Sequence, residues 1–235
     1  ATLAVAGFVA AMLMIGELVG MLPGGWLVTR LGERDVVIGA AALSAAGAGI
    51  ALIAPSPLVL AIGLGVIGIA GAVFSLSRHS FMTIAVPLSH RARALSTLGG
   101  TMRVGMVIGP FLSAAILALG VPAQVILWIP IVAAVAIVVI LLASPDIEAP
   151  LRAVRAANPQ RPAGVIATAV ANWRVLGSIG IGAAILAGLR AARMIVLPLW
   201  AAWAGLDPAL AALIIGLGAA VDAALSLASA LTPST

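Results

Sequence analysis

The sequence contains no cysteine, no lysine and no tyrosine, and only 8% of its 235 residues are charged. Without cysteine the chain has no disulfide framework and no thiolate metal site. A soluble globular domain carries about 25% charged residues, so the small charged fraction argues against one. These absences favour lipid rather than water as the solvent around most of the chain.

Long apolar segments take up most of the sequence. Hydrophobic residues make up 63% of the chain, and its mean hydropathy is +1.27. A helix needs roughly 20 apolar residues to cross the hydrocarbon core, and these continuous runs favour helices over alternating strands. The sequence therefore predicts an all-α polytopic membrane protein with about seven transmembrane helices. We expect them at residues 4–29, 36–54, 58–86, 95–119, 123–143, 176–204 and 208–230.

Arginine is unevenly distributed among the connectors between these helices. Alternate connectors carry it, whereas those around Pro55, Pro122 and Pro208 have none. Positive connectors stay in the cytoplasm, which fixes the topology and leaves the arginines near anionic lipid headgroups rather than nucleic acid. The cytoplasmic arginines are Arg30, Arg34, Arg91, Arg93, Arg152, Arg155, Arg161 and Arg174.

The longest connector divides the chain into two unequal parts. Residues 1–144 are predicted to form an N-terminal bundle of five transmembrane helices, and residues 175–235 the start of a second bundle with two. Residues 145–174 are rich in proline and arginine and are predicted to be a cytoplasmic linker, with a short surface helix at 151–157 or an ordinary solvated loop there. Because the sequence begins at Ala1 and ends just after a helix, we expect a piece of a longer protein.

The connector after the first helix has glycines and arginines at fixed spacing. Residues 25–34 read G-W-L-V-T-R-L-G-E-R, which resembles the loop signature G-x-L-x-D-R-x-G-x-R of the major facilitator superfamily. The matching residues are Gly25, Leu27, Arg30, Gly32 and Arg34. Glycines allow the helix to end and turn, and the resemblance implies that the arginines pair across a cytoplasmic gate. Thr29 stands where the family has aspartate, and Glu33 or Asp35 is available as a substitute.

A second resemblance lies on the fourth helix. Gly105, Gly109 and Pro110 match the G-x-x-x-G-P core of the family's antiporter signature. Two glycines four residues apart are also common wherever membrane helices pack closely. Ser96 and Ser113 replace flanking glycines of the longer signature, and serine is small enough to preserve such packing. This resemblance implies antiport and export.

Two further segments extend the resemblance, and two expected features are missing. The run from Pro87 to Gly100 is similar to the family's loop between its fourth and fifth helices. Asp222 stands where related members carry aspartate. No second loop signature follows it, and Leu64 occupies the place of a signature arginine. The resemblance aligns the chain with the second to eighth helices of a twelve-helix transporter.

Charged residues inside apolar segments are the candidates for substrate transport and proton coupling, because ionisable groups in a bilayer usually face a bundle interior or an aqueous cavity. Glu17 lies midway along the first helix and is predicted either to carry a proton or to form a structural ion pair with an arginine. Arg190 and Arg193 share one face of the sixth helix, and Asp222 is a candidate partner. Arg103 lies about two turns inside the fourth helix, where snorkelling to headgroups is the alternative.

The predicted function is secondary active transport by alternating access, with proton-coupled efflux of a small molecule across a bacterial inner membrane. The bacterial assignment comes from the abundance of alanine, glycine, valine and arginine. The partners are a small-molecule substrate, protons and the lipid bilayer, with no nucleic acid; no catalytic residue, metal or cofactor is expected, and oligomeric state is not specified. The alternatives are an uptake carrier for a sugar or organic anion, or a non-transporting fragment.

Overall fold

The computed structural model of the protein describes residues 3–146 and 170–231, and its regular elements in that part of the chain are helices. The helices are α1 (Leu3–Leu31), α2 (Glu33–Leu52), α3 (Pro57–Ala85), α4 (Leu88–Ala118), α5 (Trp128–Ala143), α6 (Ile181–Trp203) and α7 (Pro208–Leu231). A 3₁₀ turn, Ala123–Leu127, precedes α5. A short helix, Trp173–Val175, and a π-helical turn, Leu176–Gly180, precede α6. We call α1–α5 the first block, and α6 with α7 the second block.

Six of these helices are long and apolar enough to cross a membrane, and a shorter apolar stretch, Pro208–Ala224, lies within α7. This count covers the described part of the chain and confirms the predicted all-α membrane fold. Most of the predicted linker, residues 147–169, lies outside the described residues, as do the surface helix expected at 151–157 and the arginines Arg152, Arg155 and Arg161.

Two of the outer connectors end in a capping residue followed by proline. Ser56 accepts a hydrogen bond from the backbone N–H of Val59 at 3.4 Å, and Pro57 begins α3. Asp207 accepts hydrogen bonds from the N–H groups of Ala209 and Leu210 at 2.9 and 3.2 Å, just before α7. A side-chain oxygen satisfies N–H groups that a helix start leaves unpaired, and proline fits the first helical position. In the sequence the prolines mark these turns, and both helices begin within one residue of their predicted starts at 58 and 208.

The arginine-rich connector before α4 was predicted wrongly. The helix begins at Leu88 rather than near residue 95, so Arg91, Arg93 and most of the segment that resembles a family loop are helical. Pro87 precedes the helix with φ −55°, and the residues after it include leucine, alanine and arginine, which favour helix. The charges of this segment led us to expect a loop, although a helix can carry them where it leaves the membrane.

Close packing of α1 against α3 depends on glycines. A Cβ added to Gly20 would lie 2.8 Å from the carbonyl oxygen of Ile69, and one added to Gly24 would lie 3.2 Å from Cγ2 of Val73. At Gly16 the added Cβ would clash with the backbone of Gly65. Without a hydrophobic driving force between helices in lipid, such backbone approach is what favours their association. Gly65 on α3 thus lets the backbones of the two helices approach closely.

Contacts join the two blocks at two places. Leu199 on α6 packs against Gly7 on α1, where an added Cβ would lie 3.3 Å from Cδ1 of the leucine. Gly216 on α7 packs against Pro110 and Phe111 on α4. Both contacts lie toward the outer ends of these helices in the topology that the arginines indicate.

Candidate functional site

An ion pair connects the two helices of the second block. Nη2 of Arg193 on α6 donates to Oδ2 of Asp222 on α7 at 2.5 Å. Arg193 lies ten residues from the outer end of α6 and Asp222 fourteen residues from the start of α7, about 15 and 21 Å of helix respectively. Both residues are therefore deep in a hydrocarbon core about 30 Å thick. The side chains are 51% and 58% exposed, so other groups can approach the pair.

Arg190 and Arg103 are exposed, and within the described ranges neither forms an ion pair. Arg190 lies one turn from Arg193 on α6 and adds a second cation at nearly the same depth. The structure thus brings Arg193 together with Asp222, with Arg190 one turn away on α6 and Arg103 on α4. Arg190, Arg193 and Asp222 leave one positive charge in excess on α6 and α7 at this depth.

Glu17 is half-buried on α1, near the face that packs on α3. Its Oε1 atom lies 3.8 Å from the place a Cβ would occupy on Gly71, so the missing side chain leaves room for the carboxylate. In the part of the chain that the structure describes, no arginine forms an ion pair with Glu17. The structural ion pair that we considered from the sequence is therefore absent from those residues.

The loop signature begins inside a helix and turns at its second glycine. Gly25 lies inside α1, as the predicted helix at 4–29 requires, and α1 continues two residues further, to Leu31. Gly32 makes the turn, with φ 88°, a backbone conformation that favours glycine. The helix does not end at Gly25 because the residues that follow it, including Trp26 and Leu27, remain apolar and continue the helix. Thr29 donates to the carbonyl of Trp26 at 2.8 Å.

The two arginines of the signature have different contacts. Arg30 lies over the ring of Trp26, 5.2 Å from its centroid. Arg34 donates to the carbonyl oxygens of Leu141 and Ser144, the latter at 3.0 Å, and lies 3.6 Å from the carboxylate of Asp146. The carbonyl groups at a helix C-terminus carry partial negative charge, which a guanidinium satisfies. The contacts of Arg34 therefore connect the start of α2 with the end of α5.

Glu33 is buried beside this contact, with 4% of its surface exposed, and accepts a hydrogen bond from Ser80 on α3 at 2.9 Å. A cavity of about 260 Å³ lies at this end of the first block, which the arginine distribution predicts to face the cytoplasm. Its polar lining is Glu33, Arg34, Ser77, Arg78, Ser144 and Asp146. The sequence analysis gave Arg34 a gating role and offered Glu33 as a substitute for the family's aspartate, but it predicted no cavity. The available signal for one was the presence of charged residues at several helix ends.

The antiporter-like signature packs through only one of its residues. A Cβ added at Gly105 or Gly109 would meet no atom within 4 Å from another helix of the described chain, so this glycine pair makes no close helix contact there. Pro110 makes the contact instead: a Cβ added to Gly216 would lie 3.3 Å from its Cβ and 3.2 Å from the Phe111 ring. The two glycines face away from α7 because they lie on other sides of the α4 helix than the proline.

No group of three or more histidine, aspartate or glutamate side chains that could hold a metal ion occurs in residues 3–146 and 170–231. The charged groups described in the interior of the membrane helices are arginine guanidinium groups and the carboxylates of Glu17 and Asp222. Such groups bind charged ligands and exchange protons.

Comparison with protein families matches residues 1–233 to the Major Facilitator Superfamily. Among curated proteins, the chain is 28% identical over 107 residues to probable inositol transporter 2 of Arabidopsis thaliana. The aligned segment covers 46% of this chain and 18% of the plant protein, so the chain spans much less than that relative's full length. No solved structure matches the chain.

Proposed function

The chain belongs to the Major Facilitator Superfamily, and on that premise we propose that it exports a small molecule in exchange for protons by alternating access. Members of this family are transporters rather than enzymes, and the six membrane-length helices make the chain a multi-pass membrane protein. In this proposal the two bundles, residues 1–144 and 175–235, rock about a midplane site. The linker of residues 145–174 joins them on the cytoplasmic side of a bacterial inner membrane.

The observation that carries the proposal is the ion pair of Arg193 with Asp222. An intramembrane carboxylate beside an arginine is favourable only while both are charged. A proton and a cationic substrate such as ethidium can each replace Arg193 as the group that neutralises Asp222, so the two compete for this carboxylate. Binding of one therefore requires release of the other, which is exchange. Glu17 supplies a second intramembrane carboxylate on the first block.

The resemblance of Gly105, Gly109 and Pro110 to the antiporter signature supports export. The inositol transporter favours a second candidate, uptake of a sugar, polyol or organic anion. The surplus arginines of the site, Arg103 and Arg190, would suit an organic anion in that case.

Transport in membrane vesicles tests the direction and the proton coupling. Everted vesicles carrying the chain are energised, and ethidium accumulation is measured with and without a protonophore. We expect accumulation that the protonophore abolishes, and its loss in Asp222→Asn and Glu17→Gln. Asp207→Asn is the matched control, because this aspartate caps α7 outside the membrane core and asparagine caps equally well.

Three outcomes separate the candidates. Full ethidium accumulation in both carboxylate variants would refute the assignment of those residues. Protonophore-resistant accumulation would refute proton coupling. Labelled myo-inositol uptake by right-side-out vesicles, without ethidium export, would replace the efflux proposal with the uptake carrier.

A further inference from the structure

The contact between α4 and α7 fixes the relative depth of charges on both helices. Gly216 meets Pro110 and Phe111, and the arginine-derived topology makes the two helices antiparallel. Going from this contact toward the cytoplasm, Arg103 lies seven residues before Pro110, and Asp222 lies six residues after Gly216. At 1.5 Å per residue these steps are about 10.5 and 9 Å. Arg103 and Asp222 therefore lie at nearly the same depth.

At that depth, Arg103 lies on the side of α4 that faces α7, whereas Asp222 lies on the side of α7 that faces α6. Seven residues are almost two full turns, so Arg103 is on the same side of α4 as Pro110, the side that meets α7. Six residues place Asp222 about 120° around α7 from Gly216, on the side where it meets Arg193 of α6. Arg103 is exposed, and the contact of Asp222 with Arg193 is through Oδ2. A carboxylate has a second oxygen that can accept from another donor.

From this placement we infer that Arg103 is a second partner of Asp222, and that the carboxylate exchanges between Arg193 and Arg103 as the two blocks move. The inference rests on the proposed alternating access, because the exchange requires α7 to turn against α4. In the conformation seen here Asp222 pairs within the second block. In the alternative conformation it pairs across the contact between the blocks.

Such an exchange lowers the electrostatic cost of the movement. If Asp222 moved away from Arg193 and gained no new partner, an unpaired carboxylate would lie in a low-dielectric interior, which is expensive. With Arg103 at the same depth, Asp222 has an arginine at both ends of the movement. Arg103 is thus a positioning residue, which biases the conformation through Asp222 without touching the transported molecule.

The natural absence of cysteine allows a direct test of conformation. Ser96 is exposed, seven residues before Arg103 and on the same side of α4. Ser96→Cys introduces a single thiol. The rate at which this thiol reacts with N-ethylmaleimide measures how accessible the cytoplasmic end of the Arg103 side of α4 is. We expect Arg103→Gln and Arg193→Gln to change this rate in opposite directions, because each removes one of the two partners of Asp222. Each change is expected to be at least about threefold, since a carboxylate without a partner is costly in a low-dielectric interior.

Three controls make the test specific. In an Asp222→Asn background neither arginine substitution is expected to change the rate. Arg103→Lys keeps the charge and is expected to retain the rate of the parent. Arg174→Gln removes an exposed arginine that lies outside α4 and is expected to have no effect.

An unchanged rate in Arg103→Gln, or an effect of equal size in Asp222→Asn, would overturn the inference. Helix content by circular dichroism, measured for each variant, identifies any that fails to fold, and Arg103→Lys then tests the residue with its charge intact. Thiol labelling needs no transport, so a protein that fails the ethidium assay still reports the exchange. Failure of the exchange is therefore distinguishable from failure of proton-coupled export.

Discussion

Substituting alanine for glycine is predicted to have opposite effects at two positions of the first block. At Gly16 a Cβ would clash with Gly65 on α3, 2.9 Å from its carbonyl carbon and 3.1 Å from its Cα. At Gly39 on α2, no heavy atom of the described chain lies within 4 Å. Both substitutions gain the higher helix propensity of alanine, about 0.8–1 kcal/mol. Only Gly16→Ala forces two backbones apart, and overpacking of this kind costs about 1–3 kcal/mol.

The difference between the two variants isolates the packing cost, because the propensity contribution is common to both. Gly39→Ala is expected to be about 1 kcal/mol more stable than the parent, and Gly16→Ala about 1–3 kcal/mol less stable than Gly39→Ala. For a chain of this size each kcal/mol shifts the melting temperature by about 2–4 °C. The melting temperature of Gly16→Ala should therefore lie about 2–12 °C below that of Gly39→Ala.

Thermal unfolding in detergent, followed by tryptophan fluorescence, measures the difference between the two variants. The protein has five tryptophans, which gives an adequate signal. Equal melting temperatures for Gly16→Ala and Gly39→Ala would refute the close approach of α1 to α3, since helix propensity alone predicts no difference.

Two further predictions concern helix ends. Arg34→Ala removes the contacts of α2 with the end of α5 and is expected to destabilise the protein by about 1.5–3 kcal/mol, whereas Arg30→Ala loses only an exposed aromatic contact of about 0.5–1 kcal/mol. Melting temperatures check the order, and a larger loss in Arg30→Ala would contradict it. Asp207→Ala removes the cap of α7 and is expected to cost about 1 kcal/mol, with Asp207→Asn unaffected. Equal melting temperatures for the two Asp207 variants would show that the cap contributes nothing.

The fold was largely predictable because membrane helices follow from local features of the sequence. Apolar length predicts that a helix exists, and Pro57 and Pro208 mark the turns at which two of them begin. The start of α4 was missed because charge resembles a loop signal wherever a helix leaves the membrane. Leucine, alanine and arginine after Pro87 all favour helix, and the charge of the arginines does not change that.

Which glycines pack was not predictable from their spacing. Gly105 and Gly109 have the spacing of a packing motif but face open space in the described chain, whereas Gly20 meets α3 at close range. Spacing shows only that two residues share a face of a helix. Whether that face meets another backbone depends on the arrangement of helices, which arises from contacts distant in sequence.

In the candidate site, too, pairing by charge was predictable from the sequence, whereas contacts between distant residues were not. Arg193 and Asp222 were predicted as partners because opposite charges within lipid require each other, and the structure brings them together. The contact of Arg34 with Ser144 joins residues 110 positions apart, and no local pattern indicates it. The transport roles of Glu17 and Asp222 remain predictions.

Proton movement in proteoliposomes tests the central claim most directly. The chain is reconstituted with a pH-sensitive dye in the lumen, and ethidium is added on one side without an applied gradient. The proposed antiport predicts a luminal pH change that follows ethidium movement and disappears in Asp222→Asn but not in Asp207→Asn. Ethidium movement with no pH change, or an equal pH change in Asp222→Asn, would contradict proton exchange at the Arg193–Asp222 pair.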